Sequence, residues 1–194
     1  MNLEKLFQIQ AGLDQHIIRE KGLEGQDLLP KKILALQVEL GELCQEWRGF
    51  KFWSNDQEPR VKRRVACDWK NNEHGGIDPV HGTDRYKNPL LEEYVDCLHF
   101  ILSIGLEIKT IQDKPVESFN YYGFKNPFGL TQAFSDLMSG FTLVNDEGLE
   151  SGLYVRLFME FLGIGEMLGF TEEQIEHAYL SKNKINHKRQ EAGY

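Results

Sequence analysis

The chain has 194 residues, 41% hydrophobic and 27% charged, with a formal net charge of −8. That size and composition fit one soluble globular domain with a sizeable core. The acidic balance argues against nucleic-acid binding and repels an anionic substrate unless cations intervene. No apolar run approaches membrane-spanning length, and the N-terminus carries no basic-then-apolar leader, so no membrane partner and a cytoplasmic location are expected.

Prolines are sparse and long stretches carry helical periodicity, which predicts an all-α fold: a helical bundle forming a single domain over 1–194. The first helix, Leu3 to Glu20, puts Leu3, Leu6, Phe7, Leu13 and Ile17 on one face, with Gln10 and Asp14 in its middle. Polar groups on such a face are either satisfied core residues or site residues. Gly22 and Gly25 end the helix, and Pro30 opens the next.

From Leu29 to Trp47 the apolar face carries Ile33, Leu36, Leu40, Leu43 and Trp47, and Glu39, Glu42 and Glu46 line its edge. Glu39 and Glu42 stand three residues apart, one helical turn, on the same side. Charge beside a core is costly without a counter-ion. After an aromatic and basic exit at Gly49 to Trp53, the stretch 55–88 is polar and turn-rich and is expected to be a long insertion or flap. Its Arg60, Lys62, Arg63 and Arg64 read as solvated, and Cys67, His74 and His81 match no strong zinc spacing. Cys44 and Cys97 read as small core hydrophobes.

Pro89 to Ile108 is apolar almost all round and belongs at the centre of the bundle, yet it carries Glu93 and Asp96 one turn apart, with Phe100 on the same stripe and Glu107 beyond it. Either acidic pair alone would read as a solvated edge. Two pairs inside hydrophobic helices point to a site for a hard divalent cation with oxygen ligands, Mg²⁺ or Mn²⁺. A loop at 120–126 and two helices, Leu130 to Val144 and Leu149 to Met167, follow. The last helix opens at Thr171 with Gln174 three residues on, a capping-box spacing, and places Lys182, Asn186 and Arg189 on one face with Asn183 beside them. Such a stripe is a wet surface or a phosphate- and sugar-reading face.

The E-x-x-E run at Glu39 and Glu42 followed by E-x-x-D at Glu93 and Asp96 resembles the all-α, MazG-like nucleoside triphosphate pyrophosphohydrolases. Three further features narrow the resemblance to the dimeric dUTPase branch: Asp96-Cys-Leu-His99-Phe100, the aromatic pair Phe52-Trp53, and the tail from Lys182-Asn183 through Asn186 and Arg189-Gln190 to Gly193-Tyr194. The resemblance does not cover 55–88. It implies a homodimer that hydrolyses dUTP to dUMP and pyrophosphate. Glu39, Glu42, Glu93 and Asp96 would hold Mg²⁺, and Glu46 would join them or act on water. Phe100 would stack on the base, with Gln10, Trp53 and His99 shaping the nucleoside pocket and Asp96 facing the sugar 3′-hydroxyl. Lys182, Arg189 and Tyr194 would close over the phosphates, and Asn183 or Asn186 would contact sugar or base.

Three rival readings stand beside this one. The nucleotide could be another, such as dCTP. A di-iron or di-manganese redox centre would call for Glu-x-x-His pairs, and the sequence has none; Asp96-x-x-His99 is the nearest approach. A non-catalytic helical interaction module would leave the buried carboxylates accidental.

Overall fold

A computed structural model describes residues 1–65, 85–108, 126, 128–144 and 150–193. Six helices form among them: α1 (Leu3–Lys21), α2 (Leu29–Trp47), α3 (Pro89–Glu107), α4 (Leu130–Leu143), α5 (Glu150–Met167) and α6 (Glu172–Glu191). Two three-residue strands, β1 (Arg63–Val65) and β2 (Arg85–Lys87), pair antiparallel with Arg63 opposite Lys87. The expected flap therefore contains a short ribbon; Cys67, His74 and His81 lie outside the described residues, as does most of the 120–126 loop.

Local signals set the helix ends. The Asn2 side chain accepts from the Lys5 amide and Asn88 from the Leu91 amide, each satisfying one orphan donor of a first turn. Pro30 and Pro89 sit in first turns, where a missing N–H costs nothing. At α6 the Gln174 amide donates to Thr171 Oγ1 at 3.2 Å and the Thr171 amide to Gln174 Oε1 at 2.9 Å, completing the expected capping box. Arg48, just past α2, is the one non-glycine residue in the left-handed region among those described. Its guanidinium donates from Nε and Nη2 to the Asp56 carbonyl at 3.2 and 2.7 Å, and Nη2 also pairs with the Asp56 carboxylate. These bonds offset a conformation that costs about 1–2 kcal/mol.

α3 is the central helix. Leu90, Tyr94, Val95, Cys97, Leu98, Ile101, Leu102 and Ile104 are all buried, and α1, α2, α5 and α6 pack around it. α4 lies against α2 and α5. The contact of α3 with α5 is close because residue 105 is glycine: a Cβ there would collide with the Tyr154 hydroxyl, which donates to the Ile101 carbonyl at 2.9 Å. Beyond α2 the Arg60 amide donates to the Glu46 carbonyl and the Leu90 amide to the Arg60 carbonyl, so one residue ties the end of α2 to the start of α3. No described helix is long and apolar enough to cross a membrane.

Candidate functional site

The acidic runs of α2 and α3 face each other. Carboxylate atoms of Glu39, Glu42 and Glu93 lie within 4.8 Å of one another. Burial, and then the charges of Asp96, Glu42 and Glu93, push the Glu39 carboxyl up to about 7; the Lys182 ammonium works against them. Burial and then Asp96 likewise raise Glu93. Asp96 is raised by burial, although Lys182 Nζ from α6 donates to its Oδ2 at 2.5 Å. An oxygen-only cluster that resists full ionisation fits a hard divalent cation, whose charge would restore the ionised form.

Beside the cluster opens a cavity of about 490 Å³, within the range of small-ligand sites. Glu39 and Asp96 stand at its acidic end, Phe100 lines its wall, and Lys182, Asn186 and Arg189 of α6 line it too. The cationic stripe read in the last helix is thus a cavity wall. Ile17, Ile18, Leu23 and Leu28 supply apolar lining from α1 and the turn after it.

Gln10, Asp14 and His99 meet in the cavity wall. Gln10 Nε2 donates to Asp14 Oδ1 at 2.7 Å, which turns its Oε1 toward the Tyr179 hydroxyl and His99 Nδ1, both at 2.8 Å. The His99 ring stacks on Tyr179. Burial first, then the Lys182 charge, lower its pKa to about 3, so it is neutral near pH 7 and donates from Nδ1. Asp14 Oδ2 accepts from Ser103 Oγ at 2.5 Å and from Lys32 Nζ at 3.3 Å, and Lys32 is held in turn by Glu107.

Three expected site residues stand elsewhere, and a fourth is not among the described residues. Glu46 gives one oxygen to Arg63 of β1 at 2.6 Å and is not part of the converging trio. Trp53 is 65% exposed and stands edge-on to Phe50 and Phe52 outside the cavity lining, because the left-handed turn at Arg48 carries the chain to the surface. Asn183 is buried but does not line the cavity, and its Nδ2 has no partner among the described residues. Tyr194 lies outside the described residues.

Sequence reasoning missed Lys32, Ser103 and Tyr179. Spacing held a signal for two of them: Lys32 lies seven residues before Glu39, and Ser103 seven after Asp96, so both extend the site-bearing stripes by two turns.

A family model described as dUTPase matches residues 2–66 and 81–194. No curated protein matches the chain.

Proposed function

The chain belongs to the all-α dimeric dUTPase family, and from that premise we propose that it hydrolyses dUTP to dUMP and pyrophosphate in a Mg²⁺-dependent reaction. The family's activity makes it a dUTP diphosphatase; metal identity, products and residue roles are our reading. The observation that carries it is the convergence of Glu39, Glu42 and Glu93 beside a cavity walled by Lys182, Asn186 and Arg189.

Glu39, Glu42 and Glu93 would hold the cation, with Asp96 completing the set once Lys182 releases it. Bound there, Mg²⁺ (or Mn²⁺) supplies neutralisation of the triphosphate and a lowered pKa for a coordinated water. A cluster carboxylate within reach of the attacking water would take its proton as that water adds to a phosphorus of the α–β bridge. The bond from that phosphorus to the bridging oxygen breaks, and Lys182 and Arg189 neutralise the leaving pyrophosphate. Phe100 presents a ring to the base, and Asn186 stands where the sugar or phosphates pass. The dimer is carried over from the family; Leu34 and Val38, more than half exposed one turn apart on α2, offer an apolar stripe for the contact.

The test is pyrophosphate release from a panel of nucleotides with Mg²⁺, with and without chelator, and product separation by anion exchange. Release of pyrophosphate and dUMP, abolished by chelator, is expected. Orthophosphate with a nucleoside diphosphate, or full activity in excess chelator, overturns the reading. A preference for dCTP would favour the alternative nucleotide.

A further inference from the structure

The proposed cation and phosphate contacts leave one linked group of cavity side chains unused: Lys32, Asp14 and Ser103. They come from α2, α1 and α3, line the same cavity as Phe100, and are mutually hydrogen-bonded. Both contacts converge on one atom. Lys32 Nζ at 3.3 Å and Ser103 Oγ at 2.5 Å flank Asp14 Oδ2, which gives a row of donor, acceptor and donor. The order is fixed chemically. An ammonium only donates, a carboxylate only accepts, and a hydroxyl can turn to do either. Glu107 anchors Lys32 at 2.5 Å, and Gln10 holds the other oxygen of Asp14, so two of the three groups are pinned from behind.

We propose that the Lys32–Asp14–Ser103 row is the base-reading edge of this cavity and selects uracil over cytosine. The inference rests on the proposed function and deepens it. Uracil presents acceptor, donor and acceptor along O4, N3–H and O2, the complement of the row. Cytosine presents an amino donor and then a bare N3, which sets a donor against Lys32 and a lone pair against the Asp14 carboxylate. On binding, the N3–H of uracil replaces the hydroxyl hydrogen on Asp14 Oδ2, and Ser103 turns to the adjacent carbonyl. The hydrogen-bond count is kept for the matched base and lost for the other. A site built to pair a polar edge rejects a partner lacking it far more strongly than an apolar pocket rejects a change of shape.

The experiment compares kcat/KM for dUTP, dCTP and N3-methyl-dUTP. With the unaltered chain, dUTP should exceed both others by about 10³-fold or more. N3-methyl-dUTP keeps the carbonyls and the triphosphate, so its loss reports the single N–H, and no variant has to fold. Lys32→Met and Ser103→Ala should each lower kcat/KM for dUTP by about tenfold or more and leave dCTP within about threefold, while Asp14→Asn should raise dCTP relative to dUTP. Equal turnover of dUTP and N3-methyl-dUTP, or a dUTP/dCTP ratio unmoved in all three variants, overturns this inference and leaves the proposed function standing. No turnover of any nucleotide overturns both.

Discussion

Among the described residues, carboxylates crowd together at two places, and they meet different fates. Between α4 and α5, buried Glu160 lies near Asp136, and a single amide joins them: Asn126 Nδ2 donates to Glu160 at 2.8 Å and to Asp136 at 3.1 Å, with Gln132 bonded to Asp136 as well. Between α2 and α3, the oxygens of Glu39, Glu42 and Glu93 converge on one another instead. Burial raises both Glu160 and Glu39, but an amide bond pulls Glu160 back, whereas three neighbouring carboxylates push Glu39 further. Acidic crowding alone is therefore no sign of a metal. Crowding whose oxygens face each other calls for a cation; crowding bridged by a chain donor is a tether.

The largest test of that contrast is activity. Glu93→Gln should lower kcat by at least about a hundredfold, more than the 10–100-fold typical of an outer-shell partner. Glu160→Gln should leave kcat/KM within about twofold, and steady-state pyrophosphate release measures both. A deficit of equal size in the two variants would erase the distinction.

The next is linkage. Saturating Mg²⁺ near a hundred times its dissociation constant stabilises by about 2.7 kcal/mol, which in a domain of this size raises Tm by roughly 5–10 °C. Calorimetry should find that shift in the unaltered chain and in Glu160→Gln, and lose it in Glu93→Gln.

A smaller effect is expected at the tether. Asn126→Ala removes the donor shared by two carboxylates and should destabilise the chain by about 1–3 kcal/mol in chemical denaturation, with turnover unchanged. Activity falling in step with stability would join the two regions rather than separate them.

The smallest is in pH. Because the folded state raises Glu160 above its ordinary 4.5, the native chain holds that proton more tightly than the unfolded one. This contribution is fully present below about pH 4.5 and is lost as pH climbs through the raised folded value. Glu160→Gln should flatten stability across that window, and denaturation midpoints at several pH values would reveal it.

Much of the fold was legible because its signals are local. Leu29 to Trp47 matches α2 end to end, and Thr171 and Gln174 cap α6 as their spacing requires. The acidic pairs were legible for the same reason, since three residues on a helix is one turn. The partners of those side chains were not. Lys32 and Ser103 reach Asp14 from two other helices, and Arg63 reaches Glu46 from seventeen residues away. Interhelical pairings depend on how the helices pack, which no window of sequence contains. The ribbon escaped notice because a three-residue strand is too short to display alternation.

The crossing at Arg60 bears on how this architecture tolerates growth. The segment leaving α2 is pinned twice before β1 begins, at Arg48 and at Arg60, and the chain that returns through β2 starts from the antiparallel rung at Val65 and Arg85. The two ends of whatever chain separates those residues are brought together at the rung. Doubling such a connection costs only about 0.6 kcal/mol in closure entropy. Residues 67–80, which the family match passes over, fall wholly between the two residues of that rung in sequence. A change of length there is therefore cheap in closure entropy, with the ends still set by the rung.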